Sequence, residues 1–543
     1  MTQDGDDSSV NVNSPPQDDA GRPIYTSKSG MEWEATCTRS SRRQNQNILR
    51  NTSGLTISSI NVTTVSEAFM LFLDSDIMQT VVNYTNQKAN YFYQSLNLSD
   101  TNNKRVWIPT NIQEMYAFVG VLLVMGALKA KREPLSMLWS TDPLFERKIF
   151  PASFSRTRFT ELLKFIRFDD LYTREERKKN DKMCAVREIC TSFSSQCQLH
   201  YYPGSHLTVD EQLVGFRGRC TFRVYMKLKP AKYGIKIWML CDVETSYAMN
   251  LQVYTGKEGP RSEKNQGCRV VLDLTHSLKS GYGITTDNFF TSIPLAQELL
   301  KRGLTLTGTL RKNKTEIPAE LQPMPARKEL SSMFAFNGNL TVVSYAPQKN
   351  KAVIVLSSEH HDDSCANEEN GYKPDIILHY NHTKGAVDTM DKMVSEYSCN
   401  RTTRRWPFLL FMNIIDIAGV NAFVVWKTKF PDWKVKSPDR RRKFLLELGK
   451  ELIKPYVKVR VRKTNGVSSR SLAAMKKLLG AEYVEERMEP EPSSSTIGRC
   501  KLCVKKKDRK SRNKCGKCLC FVCKEHSDTK TEIRCRSCSE GLN

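Results

Sequence analysis

Between residues 206 and 396 the hydrophobic pattern changes period repeatedly, and the order of those changes restricts the possible folds more than any other feature. HLTVDEQLVG (206–215) is rich in β-branched residues. GIKIWMLCDVETSYAMNLQVYTG holds two β-branched and aromatic runs around a polar turn at Asp242 to Ser246, the pattern of a hairpin. GYGITTDNFF reads as a short strand ending at Asp287, SIPLAQELLKRG as a helix with Pro near its start and Gly past its end, and LTLTGTL as a strand. Residues 311–372 are less regular and read as an insertion; KPDIILHYN then returns to strand and KGAVDTMDKMVSEYS to helix. Strands alternating with helices in this order predict a mixed α/β sheet.

The flanks differ in kind. Residues 1–55 are polar and predict disorder, whereas apolar residues recur at helical spacing over 60–200 and again from 406 to about 480. MEPEPSSST (488–496) is a linker before a cysteine-rich tail. The expected organisation is therefore helical 56–203, α/β 204–398 with an insertion near 312–373, helical 399–485, linker 486–497 and tail 498–543.

Aspartates stand at particular points of the α/β frame: Asp210 on the first strand, Asp287 at the end of a later one, Asp388 opening the last helix. A mixed sheet can bring such ends together, and three carboxylates there would hold Mg²⁺, or Mn²⁺, a hard cation that takes oxygen ligands. Two such ions about 4 Å apart serve phosphodiester cleavage. Asp391 shares a helical face with Asp388 and competes for the third position. Glu211 alternates to the other side of the strand from Asp210 and is expected to be structural. Arg217, Arg219, Lys227, Lys384, Arg404 and Arg405 are candidates to hold a DNA backbone.

Charge supports a polyanionic partner. Lys+Arg number 83 against Asp+Glu 58, a net charge of +25. The polar, acidic start MTQDGDDSSV lacks the features of a secretion signal, so the 17 cysteines are expected to be thiols or metal ligands. Two apolar stretches imitate membrane spans. Residues 114–130 are too short, and WPFLLFMNIIDIAGVNAFVVW carries Asn413, Asp416 and Asn421 on one helical arc, which describes an amphipathic or interior helix.

In the tail, Cys500-x-x-Cys503, Cys515-x-x-Cys518, Cys523-x-x-His526 and Cys535-x-x-Cys538 give eight ligands at two-residue gaps, enough for two structural Zn²⁺. Spacing alone permits neighbouring or alternating pairs, and leaves Cys520 over. KKKDRK between the first two pairs is a basic loop suited to phosphate or nuclear import, or simply solvated.

VDEQLVGFRGR, YGIKIW, TDNFFTS, GTLRKN, KGAVDTMDKMVSEYS and RRWPF, in this order, resemble the successive blocks of piggyBac-family DNA transposases, from YTSKSGMEWE to the terminal cysteines. The resemblance implies an RNase H-like catalytic core, split helical flanks for dimerisation and DNA binding, and a zinc-binding tail with its first pair of ligands joined to the third and the second to the fourth. It puts the catalytic aspartates on Asp210, Asp287 and Asp388, with Asp391 adjacent, and sets Trp406 near the transposon end. A core tryptophan is the competing assignment for Trp406. Ala386 stands where glycine is frequent in the family. The implied function is nuclear cut-and-paste transposition by a homodimer on double-stranded DNA, through hairpin intermediates, into TTAA targets. The rivals are a domesticated, catalytically silent DNA-binding protein and a zinc-dependent interaction module such as a ubiquitin ligase.

Overall fold

The structure, a computed structural model, describes residues 23–37, 52–99, 106–257, 263–462, 467–480, 497–504, 509–515, 518 and 520–528. Two compact units divide the chain, Met1–Leu479 and Gly480–Asn543.

The first unit is built on one mixed sheet. Its strands are β1 (Ile24–Thr26), β2 (Glu32–Glu34), β5 (His206–Gly215), β6 (Val224–Tyr225), β7 (Tyr233–Asp242), β8 (Ala248–Val253), β9 (Gly283–Thr286), β10 (Thr305–Thr309), β11 (Ser331–Asn337), β12 (Leu340–Gln348) and β13 (Lys351–Ser357). β3 (Gly54–Leu55) and β4 (Tyr201–Tyr202) form a separate short pair. In the sheet the order is β1-β2-β11-β12-β13-β10-β9-β5-β7-β6, with β8 also on β7. Only β5/β9 and β9/β10 are parallel. The path β8-β7-β5-β9-β10 is the RNase H-like core that the resemblance implies. Parallel neighbours need a crossover, and the helix Ile293–Lys301 supplies it. Ser292 caps that helix at the Leu295 N–H, Pro294 lies in its first turn, and Gly303 at φ 69° ends it.

The insertion is more regular than its composition suggests. β11, β12 and β13 extend the sheet antiparallel from β10, and β2 pairs with β11. Residues 23–37 therefore depart from the disorder expected for 1–55. Trp33 is the reason: it is fully buried, and its indole N–H donates to the Glu316 carbonyl at 3.1 Å. KPDIILHYN is also corrected, from strand to the helix Asp375–Thr383. Ile376, Ile377 and Tyr380 pack against Val343, Tyr345 and Val355, so the apolar spacing follows a helical face.

Helices on both sides of the sheet in sequence meet in space. Gly120 in the helix Ile112–Ala127 faces Gly449 in the helix Arg440–Arg462, where a Cβ on Gly120 would lie 2.8 Å from the Gly449 carbonyl oxygen. Nearby, buried Glu114 accepts from Arg158 at 2.9 and 2.6 Å and from the Tyr456 hydroxyl at 2.8 Å. The helix Trp406–Lys429 is an interior helix. Its polar arc is satisfied throughout: Asn413 donates to Gln212, Asp416 accepts from Ser398 and the Cys399 N–H, and Asn421 exchanges bonds with the Ala248 backbone.

In the second unit β14 (Gly498–Arg499) pairs with β15 (Lys510–Ser511). Residues 486–496 of the expected linker, Cys535 and Cys538 lie outside the described residues.

Candidate active site

Parallel pairing of β5 with β9 matches Val209 with Thr286, so the next residue along each strand is Asp210 and Asp287. Asp210 lies mid-way along β5 and Asp287 just past the end of the shorter β9, on adjacent strands. Asp287 is held by the turn after β9, where its carboxylate accepts from the Phe289 N–H at 2.9 Å. Burial raises its pKa, against the opposing effect of those turn amides. The Asp210 carboxyl is pushed up to about 7, first by burial and then by Glu211, with Asp287 adding to it.

The third carboxylate comes from the helix Ala386–Glu396. Asp388 lies in its first turn with 68% of its side chain exposed, and Lys229 Nζ approaches its Oδ1 at 3.4 Å. The same ammonium donates to the Glu211 carbonyl at 2.9 Å. Burial works against the Lys229 charge, but Asp210, Asp388 and Glu211 outweigh it and raise its pKa. Lys229 thus links the strand acids to the helix acid.

Asp391 is one turn further on and is differently held. It is more buried, accepts from Gln212 Nε2 at 2.9 Å, and has a pKa raised by burial. Gln212 in turn accepts from Asn413 at 2.8 Å, so the interior helix, β5 and Asp391 form one chain of contacts. Glu211, the residue after Asp210 on β5, is half-buried. Burial raises its pKa and Asp287 raises it further, while Lys229 and Lys236 oppose.

Beyond the Gly215 end of β5 lies a groove of about 1760 Å³. Arg217, Arg219, Arg404, Arg405 and Trp406 line it, as do Lys131, Arg132, Arg167, Lys178 and Lys182 from the earlier helices. Arg217, Arg219 and Arg404 are exposed. Arg405 is not free for phosphate: its guanidinium donates to the carbonyls of Leu163, Lys164 and Ile166, closing the end of the helix Arg156–Phe165. Burial lowers its pKa to about 10, and Arg167 contributes. Trp406 is half-buried, edge-on to Phe222 with ring centroids 5.0 Å apart. Lys227 and Lys384 are exposed but do not line this groove, and Lys384 bonds Asn381 at 2.8 Å. Lys229 and the residues at 131–182 escaped sequence reasoning, since lysines in a loop or on distant helices carry no local signal.

In the tail, the ligand atoms of Cys500, Cys503, Cys523 and His526 all lie within 4.8 Å of one another. Cys503 and Cys523 sulfurs are 3.7 Å apart, and His526 Nδ1 is 3.2 Å from Cys523 Sγ. Tetrahedral Zn–S and Zn–N bonds give ligand separations of about 3.3–3.8 Å, so these atoms fit one ion. The first pair therefore joins the third, as the resemblance implies. Cys515 and Cys518 are among the described residues, whereas Cys535 and Cys538 are not, and Cys520 accepts from Lys501 Nζ at 3.4 Å.

A family model described as Transposase IS4 matches residues 64–423, more than half of the chain. PiggyBac transposable element-derived protein 3 of Homo sapiens is 23% identical over 386 residues, 67% of this chain and 61% of that protein. PiggyBac transposable element-derived protein 2 of Homo sapiens is 23% identical over 374 residues, 65% of this chain and 60% of that protein. The chain thus spans about three fifths of these curated relatives. A piggyBac transposase solved by cryo-EM in a synaptic complex with hairpin DNA superposes with a TM-score of 0.73 at 36% identity, over 88% of this chain and 98% of that one. Acids gathered around the parallel β5/β9 pair, a basic groove lined by Arg217, Arg219 and Arg404, and these likenesses lead to one conclusion: the chain belongs to the piggyBac family of DNA transposases.

Proposed function

We propose that the protein is a cut-and-paste DNA transposase that binds the terminal repeats of its element, excises it through hairpin intermediates and joins it to TTAA targets. The observation that carries this is the pairing of Asp210 with Asp287 on adjacent parallel strands, with Asp388 joined to them through Lys229. The structural relative bound to hairpin DNA supports the DNA intermediate.

The donor set fits Mg²⁺ or Mn²⁺: it is all carboxylate oxygen, and the raised Asp210 pKa marks negative charge that a cation would relieve. When bound between Asp210, Asp287 and Asp388, two such ions would activate the attacking water or 3′ hydroxyl and stabilise the leaving oxygen. The chain's own residues do the rest. Gln212 fixes Asp391 behind the helix acid. Arg217, Arg219 and Arg404 neutralise phosphates in the groove, and Trp406 offers a ring face at its wall. Lys229 neutralises the acid cluster before metal arrives. In the tail, Cys500, Cys503, Cys523 and His526 hold one Zn²⁺, and Cys515, Cys518, Cys535 and Cys538 a second. A homodimer acting in the nucleus completes the proposal, supported by the synaptic relative and by the basic KKKDRK segment.

The test is cleavage of oligonucleotides carrying the repeats that flank the gene. Asp→Ala at 210, 287 and 388 should each abolish nicking and joining while DNA binding persists. Wild-type rates from all three variants would overturn the proposal.

A further inference from the structure

His206 opens β5, Glu359 follows β13 by two residues, and His379 lies mid-way along the helix Asp375–Thr383. These positions are distant in sequence, yet their ligand atoms all lie within 4.8 Å of one another. His206 Nε2 is 3.0 Å from Glu359 Oε1, and His379 Nε2 is 3.8 Å from Glu359 Oε2. The Glu359 side chain is 4% exposed, and those of His206 and His379 are 20% and 19%. From these positions we infer that His206, Glu359 and His379 form a divalent transition-metal site, taking Zn²⁺ foremost, separate from the acids of the active site.

Several features favour an ion over a simple hydrogen-bonded cluster. One imidazole would suffice to pair a buried carboxylate, whereas two imidazoles and one carboxylate are a known zinc donor set. Ligands on a tetrahedral ion at zinc–nitrogen and zinc–oxygen bond lengths stand about 3.3 Å apart, and the observed separations bracket that value. The groups behind the ligands are also arranged. Ser205 Oγ lies 2.8 Å from His206 Nδ1, which commits the ring's other nitrogen to the cluster. Thr305 donates to Glu359 Oε2 at 3.3 Å. Gly283, paired with His206 across the strands, leaves the room: a Cβ there would sit 2.5 Å from His206 Cδ2 and 2.9 Å from Glu359 Oε2.

His206 and Asp210 are four positions apart on β5, about 13 Å along the strand, so the two sites do not share ligands. The cluster joins the start of β5, the end of the inserted strands and the helix that leads into Asp388. Thr383, one turn after His379, bonds both Thr208 and Thr285 and carries the same docking forward. An ion here would staple the insertion and this helix to the central strand.

The full-length protein, purified without chelator and refolded from none of its parts, is assayed for zinc per chain by mass spectrometry. Glu359→Gln and His379→Ala should each lose one equivalent relative to wild type, and Cys523→Ser should retain that equivalent while losing one of the tail's two. Cobalt loading gives a second reading, since this site lacks thiolate: sulfur-to-cobalt absorption should be unchanged in Glu359→Gln and reduced in Cys523→Ser. Should His379→Ala fail to fold, Glu359→Gln decides, being isosteric. Folded Glu359→Gln with wild-type zinc content would overturn the site and leave a hydrogen-bonded cluster.

Discussion

Replacing Asp210 with Asn should kill cleavage and stabilise the protein, and the size of the second effect follows from burial. The Asp210 carboxyl moves from 3.8 to about 7 on folding. At about 1.4 kcal/mol per pH unit this corresponds to on the order of 4 kcal/mol against the ionised folded form, or about 2–4 kcal/mol once part of the shift is shared with Glu211. A folded-state pKa above the unfolded one means that the native protein binds the extra proton, so stability falls as pH rises from about 4 to 7. Asn does not titrate. Asp210→Asn should therefore match the wild type near pH 4 and exceed it by about 2–4 kcal/mol at pH 8. The assay is urea unfolding of the full chain from pH 4.5 to 8.5 without added Mg²⁺. Buried Asp416, also raised to about 7, titrates in both proteins and cancels in the difference. Added Mg²⁺ should narrow the gap by stabilising only the wild type. A difference that stays flat with pH, or a variant less stable at pH 8, would refute the argument.

Exposed Asp388 and half-buried Asp391 should separate in kinetics: Asp388→Asn should lose cleavage completely and Asp391→Asn only in part, read on the same oligonucleotide, and the reverse ranking would exchange their roles. Gln212→Met leaves the buried Asn413 amide and Asp391 carboxylate without their shared partner, so it should cost about 3 kcal/mol in urea unfolding; a loss below about 1 kcal/mol would deny the connection. Arg405→Ala should lower stability by about 2 kcal/mol with an unchanged salt slope of DNA binding, whereas Arg217→Ala or Arg404→Ala should each reduce that slope by about 1, as measured by filter binding.

Much of this architecture was legible because its signals are local. Ser292, Pro294 and Gly303 announce the crossover helix by themselves, and the polar turn at Asp242 to Ser246 announces the β7–β8 hairpin. Asp210 and Asp287 could be singled out because β-rich runs and their ends are visible in sequence, although their adjacency required the parallel register of β5 and β9. What stayed hidden depends on contacts across long separations. Trp33 makes a strand of a polar segment only because the insertion receives it. Arg405 looked like a phosphate ligand beside Arg404, and its neighbours in sequence gave no hint that three carbonyls of another helix would take it. Lys229 acquires meaning only once the helix carrying Asp388 is laid over β5.

The glycine contact between the helices Ile112–Ala127 and Arg440–Arg462 bears on how the chain is made. Gly120 emerges from the ribosome about 330 residues before Gly449, which at about 5–20 residues per second is tens of seconds. Throughout that interval the apolar face of the first helix lacks its partner, while the whole sheet with Asp210, Asp287 and Asp388 is synthesised in between. A prematurely terminated product would carry all three acids on an unfinished helical body, with bare hydrophobic surface that invites aggregation and proteolysis. The nesting of one element inside the other thus couples survival of the acid cluster to completion of the chain.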